Sequence, residues 1–280
     1  MTTTKIRVPL PVRAVLTLIA MLVAIVSGLV ALLLPAGTGQ TVTSHLCATV
    51  TGIGLAVALV RGVDRRPVSA LGLGRPALRA SVAALAVIAA CTAAGTGLAV
   101  AFGLTTPAPA LPDVPRWTLL TGVLIMLTQS FLLQGVPEEV LFRGYLVQSA
   151  LGRLPLWGVT ALSVLVFGVP HLISRSGART VGEQLLFLLL PIGFALLATA
   201  FRLRTGSVWP AVAVHGGFHV SWWVAGQWVA PRPEAYGGYL AVAGTVLVAV
   251  GLAAVILEIR RTREVSPGSA SRELGESVRP

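Results

Sequence analysis

The sequence predicts an all-α fold, a polytopic membrane protein of about eight transmembrane helices with both termini in the cytosol (N-in/C-in). Three observations carry that expectation. Hydrophobic residues make up 55% of the chain and charged residues only 11%, where a soluble domain carries about 25% charged residues. Apolar runs of roughly 20 residues, the length that crosses a hydrocarbon core of ~30 Å, recur along the chain. With eight spans threaded from a cytosolic N-terminus, only Arg116, Arg175, Arg179 and Arg232 of the 21 basic residues fall outside. The positive-inside rule favours that arrangement over its inverse.

The expected spans run near 14–34, 42–60, 80–103, 117–136, 155–172, 183–201, 207–229 and 237–257. Proline and glycine clusters separate them, as in "PAGTG" at 35–39, "TTPAPALPDVP" at 105–115 and "APRPEAYGG" at 230–238. Lys5, Arg7 and Arg13 precede the first run as they would in a secretory signal. The run is longer than the roughly 7–15 residues of a signal core, so a retained first helix is expected. Residues 1–110 would form three N-terminal helices, 115–230 a core, 231–259 the last helix and 260–280 a disordered cytosolic tail.

The net charge of +11 needs no nucleic-acid partner. The basic residues are scattered over loops, and anionic headgroups of the lipid bilayer suffice as counter-charge. Cys47 and Cys91 fall in apolar spans and read as small buried side chains rather than a disulfide or metal pair. Lys5 is the one lysine among the basic residues. That arginine bias suggests a GC-rich genome, and so a bacterial plasma membrane as the expected location.

Against this background, Glu138, Glu139, Arg143, His171, His215 and His219 stand in or beside spans. An ionisable group in a membrane is a functional candidate because leaving it charged in lipid costs several kcal/mol. Counted at 1.5 Å per residue from the turn near Gly152–Pro155, Glu138 and His171 reach one level, and His215 and His219 come in from the next cytosolic turn to a similar depth. The spacing gives levels, not facing directions.

Three short motifs hold these residues. In "QGVPEEVLFRGY" Glu139 and Arg143 are four apart, acid first, so they stack on one helix face. Glu138 points about 100° away and stays free for chemistry. The plain alternative is a structural ion pair with a glutamate reaching for the interface. In "FGVPH" the ring of Phe167 and the imidazole of His171 share a face, and Pro170 opens the helix beside them. A histidine satisfying a backbone carbonyl would explain that motif equally. In "HGGFH" His215 and His219 share a face, and Gly216 and Gly217 leave room for a neighbour.

Together, "EEVLFR", "FGVPH" and "HGGFH" resemble the EExxxR, FxxxH and HxxxN pattern of the CAAX-protease and bacteriocin-processing intramembrane proteases, which include the type II CAAX prenyl endopeptidases. The resemblance covers roughly residues 115–230. It implies hydrolysis of a peptide bond in a membrane-embedded or lipid-anchored peptide substrate, in a cavity open to the cytosol. Glu138 would be the general base, His171 would help hold the attacking water, and His215 with His219 would stabilise the oxyanion. Glu139, Arg143 and Phe167 would be supporting residues. His219 departs from the family's asparagine, although an imidazole also donates a hydrogen bond. The cofactor stays open between none and zinc, with Glu138, His171 and His215 the ligands of any metal. Two other classes remain: a catalytically silent scaffold or immunity-type binding protein, and a transporter using the same groups as a proton relay. No paired half-sequence repeat favours the transporter.

Overall fold

The computed structural model describes residues 8–74, 76–109, 114–174 and 176–265. Lys5, Arg7, Arg75, Arg175, Arg272 and Arg279, and all of the expected tail past Val265, lie outside the described residues. Eight helical rods follow in order: α1 (Leu10–Leu33), α2 (Thr38–Val63), α3 (Leu78–Ala101), α4 (Arg116–Ala150), α5 (Leu156–Leu172), α6 (Val181–Thr205), α7 (Trp209–Ala225) and α8 (Tyr236–Val265). Each overlaps one of the expected spans. Two three-residue strands, β1 (Thr105–Pro107) and β2 (Val229–Pro231), pair antiparallel and tie the segment after α3 to the segment after α7. That pairing joins residues on both sides of the expected boundaries at 110 and 230.

Among the described residues, six rods are long and apolar enough to cross a membrane. The sequence reading counts eight crossings; the two that fall short are α5 and α7. At 17 residues, α7 spans only about 26 Å. Both short rods have physical stops. Pro155 and Pro210 sit at helix starts, where a missing N–H is harmless. Around Pro170, α5 tightens into a 3-10 turn over Val169–Leu172 and ends. The two short rods are the ones that carry the site histidines.

The apolar span expected over 117–136 is the first part of a longer helix, α4, whose end lies beside the turn expected near Gly152–Pro155. The helix runs unbroken through Pro137 to Ala150. A proline inside a helix leaves a carbonyl without its donor and crowds the preceding turn. Here the helix widens into π-helical turns over Gln129–Gly135 and again over Val140–Leu146, flanking the two glutamates. Every residue from Val140 to Val147 is buried, so this half of α4 is the centre of the bundle. Gly52 of α2 lets the kinked segment seat, since a Cβ there would lie 2.6 Å from that of Pro137.

The last helix passes Arg260, the expected start of the tail, and continues to Val265. Arg13, near the start of α1, is buried and paired with Asp64 just after α2. Its Nε also donates to the Val8 carbonyl at 2.9 Å. The charge therefore sits at a helix end with two acceptors rather than bare in an apolar setting.

Candidate active site

Three helices build one cluster. Glu139 is fully buried, and its Oε1 accepts from Arg143 Nη1 at 2.8 Å and from His215 Nδ1 at 2.9 Å. The i,i+4 pair expected from spacing is present, but the carboxylate has a second partner the spacing did not suggest. It fixes the imidazole of α7 to the centre of α4. Because a carboxylate only accepts, Nδ1 of His215 carries the proton and Nε2 is left with its lone pair. That Nε2 lies 4.0 Å from Oε2 of Glu138. Glu138 keeps 15% of its side chain exposed where Glu139 keeps none, and this separates the two carboxylates: one faces the cavity, the other the packed interior.

His171 is set the same way. Its Nδ1 donates to the Phe167 carbonyl at 2.9 Å, which leaves its Nε2 free as well. The 3-10 turn explains the bond, since i→i+3 pairing releases a carbonyl that an α-helix would have used. Phe167 is the hub of the cluster. Its ring lies 4.8 Å from the His171 ring and 5.8 Å from that of His215, edge-on to the latter. Phe142 and Phe194 meet it edge-to-face at 5.1 and 5.2 Å. The Arg143 guanidinium sits 4.6 Å above its centroid, a cation–π contact in a dry setting. FxxxH thus supplies both a carbonyl and a ring to its own histidine.

Gly216 makes the approach of α4 and α7 possible. A Cβ there would lie 2.3 Å from the ring of Phe131, and its backbone nitrogen is 3.5 Å from where a Cβ on Gly135 would be. His219 follows one turn later, half-buried, with its ring 5.2 Å from that of His215.

Glu138, His171, His215 and His219 all line one cavity of about 490 Å³. A larger cavity of about 640 Å³, beside Pro67, Gln148, Arg202 and Glu258, contains none of them. The expected site residues therefore meet in the smaller one. Sequence reasoning missed several of its walls. Gln134 and Tyr236 also line it. Gln184 Nε2 donates to the His171 carbonyl at 2.7 Å, and the Tyr236 hydroxyl donates to the Ser176 carbonyl. Gln134 had a signal, four residues before Glu138; Gln184 and Tyr236 read only as polar span ends. His45, also within an expected span, lies elsewhere, its Nδ1 2.9 Å from Thr128 Oγ1 between α2 and α4.

The zinc alternative can be tested against these positions. Among the described residues, no three or more His, Cys, Asp or Glu side chains are gathered so as to hold a metal ion. His171 and His215 both line the cavity, and Nε2 of His215 lies 4.0 Å from Oε2 of Glu138, wider than the roughly 3.4 Å between two ligands of one tetrahedral zinc.

Residues 120–221 match the family model described as Type II CAAX prenyl endopeptidase Rce1-like. The matched segment includes all three motifs and every residue of the cluster. No curated protein matches the chain.

Proposed function

We propose, from the match of residues 120–221 to the Rce1-like type II CAAX prenyl endopeptidase family model, that the protein is an intramembrane endopeptidase using a glutamate-activated water. The observation that carries this reading is the division of labour between adjacent carboxylates. Glu139 is committed to Arg143 and His215, while Glu138 faces the cavity.

A water seated between Glu138 Oε2 and the imidazoles would give one hydrogen bond to the carboxylate. It would give the other to the lone pair of His171 or His215 Nε2. Glu138 removes the proton as the oxygen attacks the scissile carbonyl carbon, then returns it to the departing amine as the C–N bond breaks. The oxyanion needs donors rather than acceptors. With its Nδ1–H held by Glu139, His215 in its neutral form has none to offer, so it orients water. His219 takes the donor role, since among the described residues no hydrogen bond fixes its proton.

The apolar walls suit a peptide bond presented by a membrane-embedded or lipid-anchored polypeptide, and the expected setting is a bacterial plasma membrane. The reading assigns no step to a metal. Membranes from cells carrying the wild type or Glu138→Gln should differ in a defined set of protein termini, with uncleaved forms accumulating in the variant. Identical termini in the two membranes would remove the proposal.

A further inference from the structure

The direction in which the cavity opens can be read helix by helix. The aromatic floor of Phe142, Phe167 and Phe194 closes it on one side. On α4, Glu138 precedes Phe142 and lies further from the turn after Ala150. On α5, His171 lies beyond Phe167, further from the start at Leu156. On α7, His219 and Trp222 lie beyond His215, further from Trp209. Ser174, Ser176 and Tyr236, which also line the cavity, belong to the α5–α6 connection and the first residue of α8. Each helix points the opening to the same end of the bundle, the end that holds the α5–α6 connection and the β1–β2 pair.

The opposite end is basic, and the larger cavity there, beside Arg202 and Gln148, is lined by none of the four site residues. Below the floor, Arg202 Nε donates to the Arg143 carbonyl at 3.0 Å, and its Nη2 donates to the Ala70 carbonyl at 3.0 Å. Arg61, Arg65, Arg66, Arg153, Arg204 and Arg261 surround that end. Among described residues the mouth end carries Arg116, Arg179 and Arg232, accompanied by Glu183 and Glu234. The arginine-rich end belongs in the cytosol. A cytosolic opening and a cytosolic N-terminus, both expected from sequence, therefore exclude each other in this fold, because the mouth is at the end away from Leu10.

We infer that the scissile bond reaches Glu138 from the non-cytosolic side, and that the substrate is the exported, membrane-proximal part of an anchored polypeptide. This rests on the peptidase reading for its chemistry, but not for the side on which the mouth lies. Two arms separate the two. In a Cys47→Ala, Cys91→Ala background, Val181→Cys, exposed at the mouth end, should react with a membrane-impermeant maleimide in intact bacterial cells. Arg153→Cys, at the basic turn, should react only after lysis. In the second arm, a single-pass reporter carries the same randomised segment on either its exported or its cytosolic side. Cleavage that depends on Glu138 should appear only with the exported segment. Labelling of Arg153→Cys in intact cells with Val181→Cys protected, or Glu138-dependent cleavage of the cytosolic segment, overturns the inference and leaves the peptidase reading standing. External labelling of Val181→Cys with neither segment cleaved overturns the peptidase reading and the substrate class with it.

Discussion

At the residue scale, the imidazoles are distinguished by what holds their second nitrogen. His171 and His215 each spend Nδ1–H on a fixed acceptor, a carbonyl and a carboxylate. His219 has no such commitment, and its position one turn beyond His215 places it at the cavity wall. A donor role tolerates an amide, so His219→Asn should keep most of the activity. His219→Ala should lose ~10²–10³-fold, as removal of one oxyanion donor does. Assay of both variants beside the wild type checks this, with elemental analysis of the purified proteins. Stoichiometric zinc that disappears together with activity in His219→Asn would contradict the donor role. Sequence spacing gave the Glu139–Arg143 pair correctly, because i,i+4 contact is local. The Glu139–His215 bond was beyond it, because that bond depends on the rotation of α7 against α4, which no single-helix period encodes.

At the element scale, the helical runs were legible from length and hydropathy, which among the described residues also mark six of the eight rods as long and apolar enough to cross a membrane. The widening of α4 was not. Pro137 reads as a kink in a helix that goes on to the turn near Gly152–Pro155, but the π-helical widening on either side of the glutamates depends on how Val140–Val147 pack at the bundle centre. The short α5 was legible in Pro170, but its use was not: the 3-10 ending frees the carbonyl that orients His171. Packing at Gly216 gives a direct test of this geometry. In Gly216→Ala the new methyl meets the Phe131 ring, 2.3 Å from its place. The ring or α4 must shift, at a cost of about 1–3 kcal/mol for overpacking. Thermal unfolding in detergent should register that loss, and cleavage should fall with it as α4 and α7 separate. Unchanged stability and activity would mean that the close approach of the two helices at this point is not needed.

For the whole molecule, the partition of arginines is the argument for the orientation, and the position of the aromatic floor is the argument for the direction of access. The first argument needs only the sequence, because charges in loops need only be counted. The second needs the structure, since residue counts place groups at a depth without saying which side is closed. A reporter fused after Pro280 should be active on the cytosolic side of the membrane. Activity of the same fusion only on the outer face would reverse the orientation and carry the cavity mouth with it.

The account's central claim is that two neighbouring carboxylates have separate work, one chemical and one structural. Glu138→Gln and Glu139→Gln, purified side by side and measured for peptide cleavage and thermal stability, test it most directly. Glu138→Gln should abolish cleavage and melt close to the wild type, because its side chain borders the cavity. Glu139→Gln should be destabilised by about 3 kcal/mol, since it leaves Arg143 charged and buried without its counter-ion. Equal loss of activity accompanied by equal loss of stability in the two variants would contradict the claim.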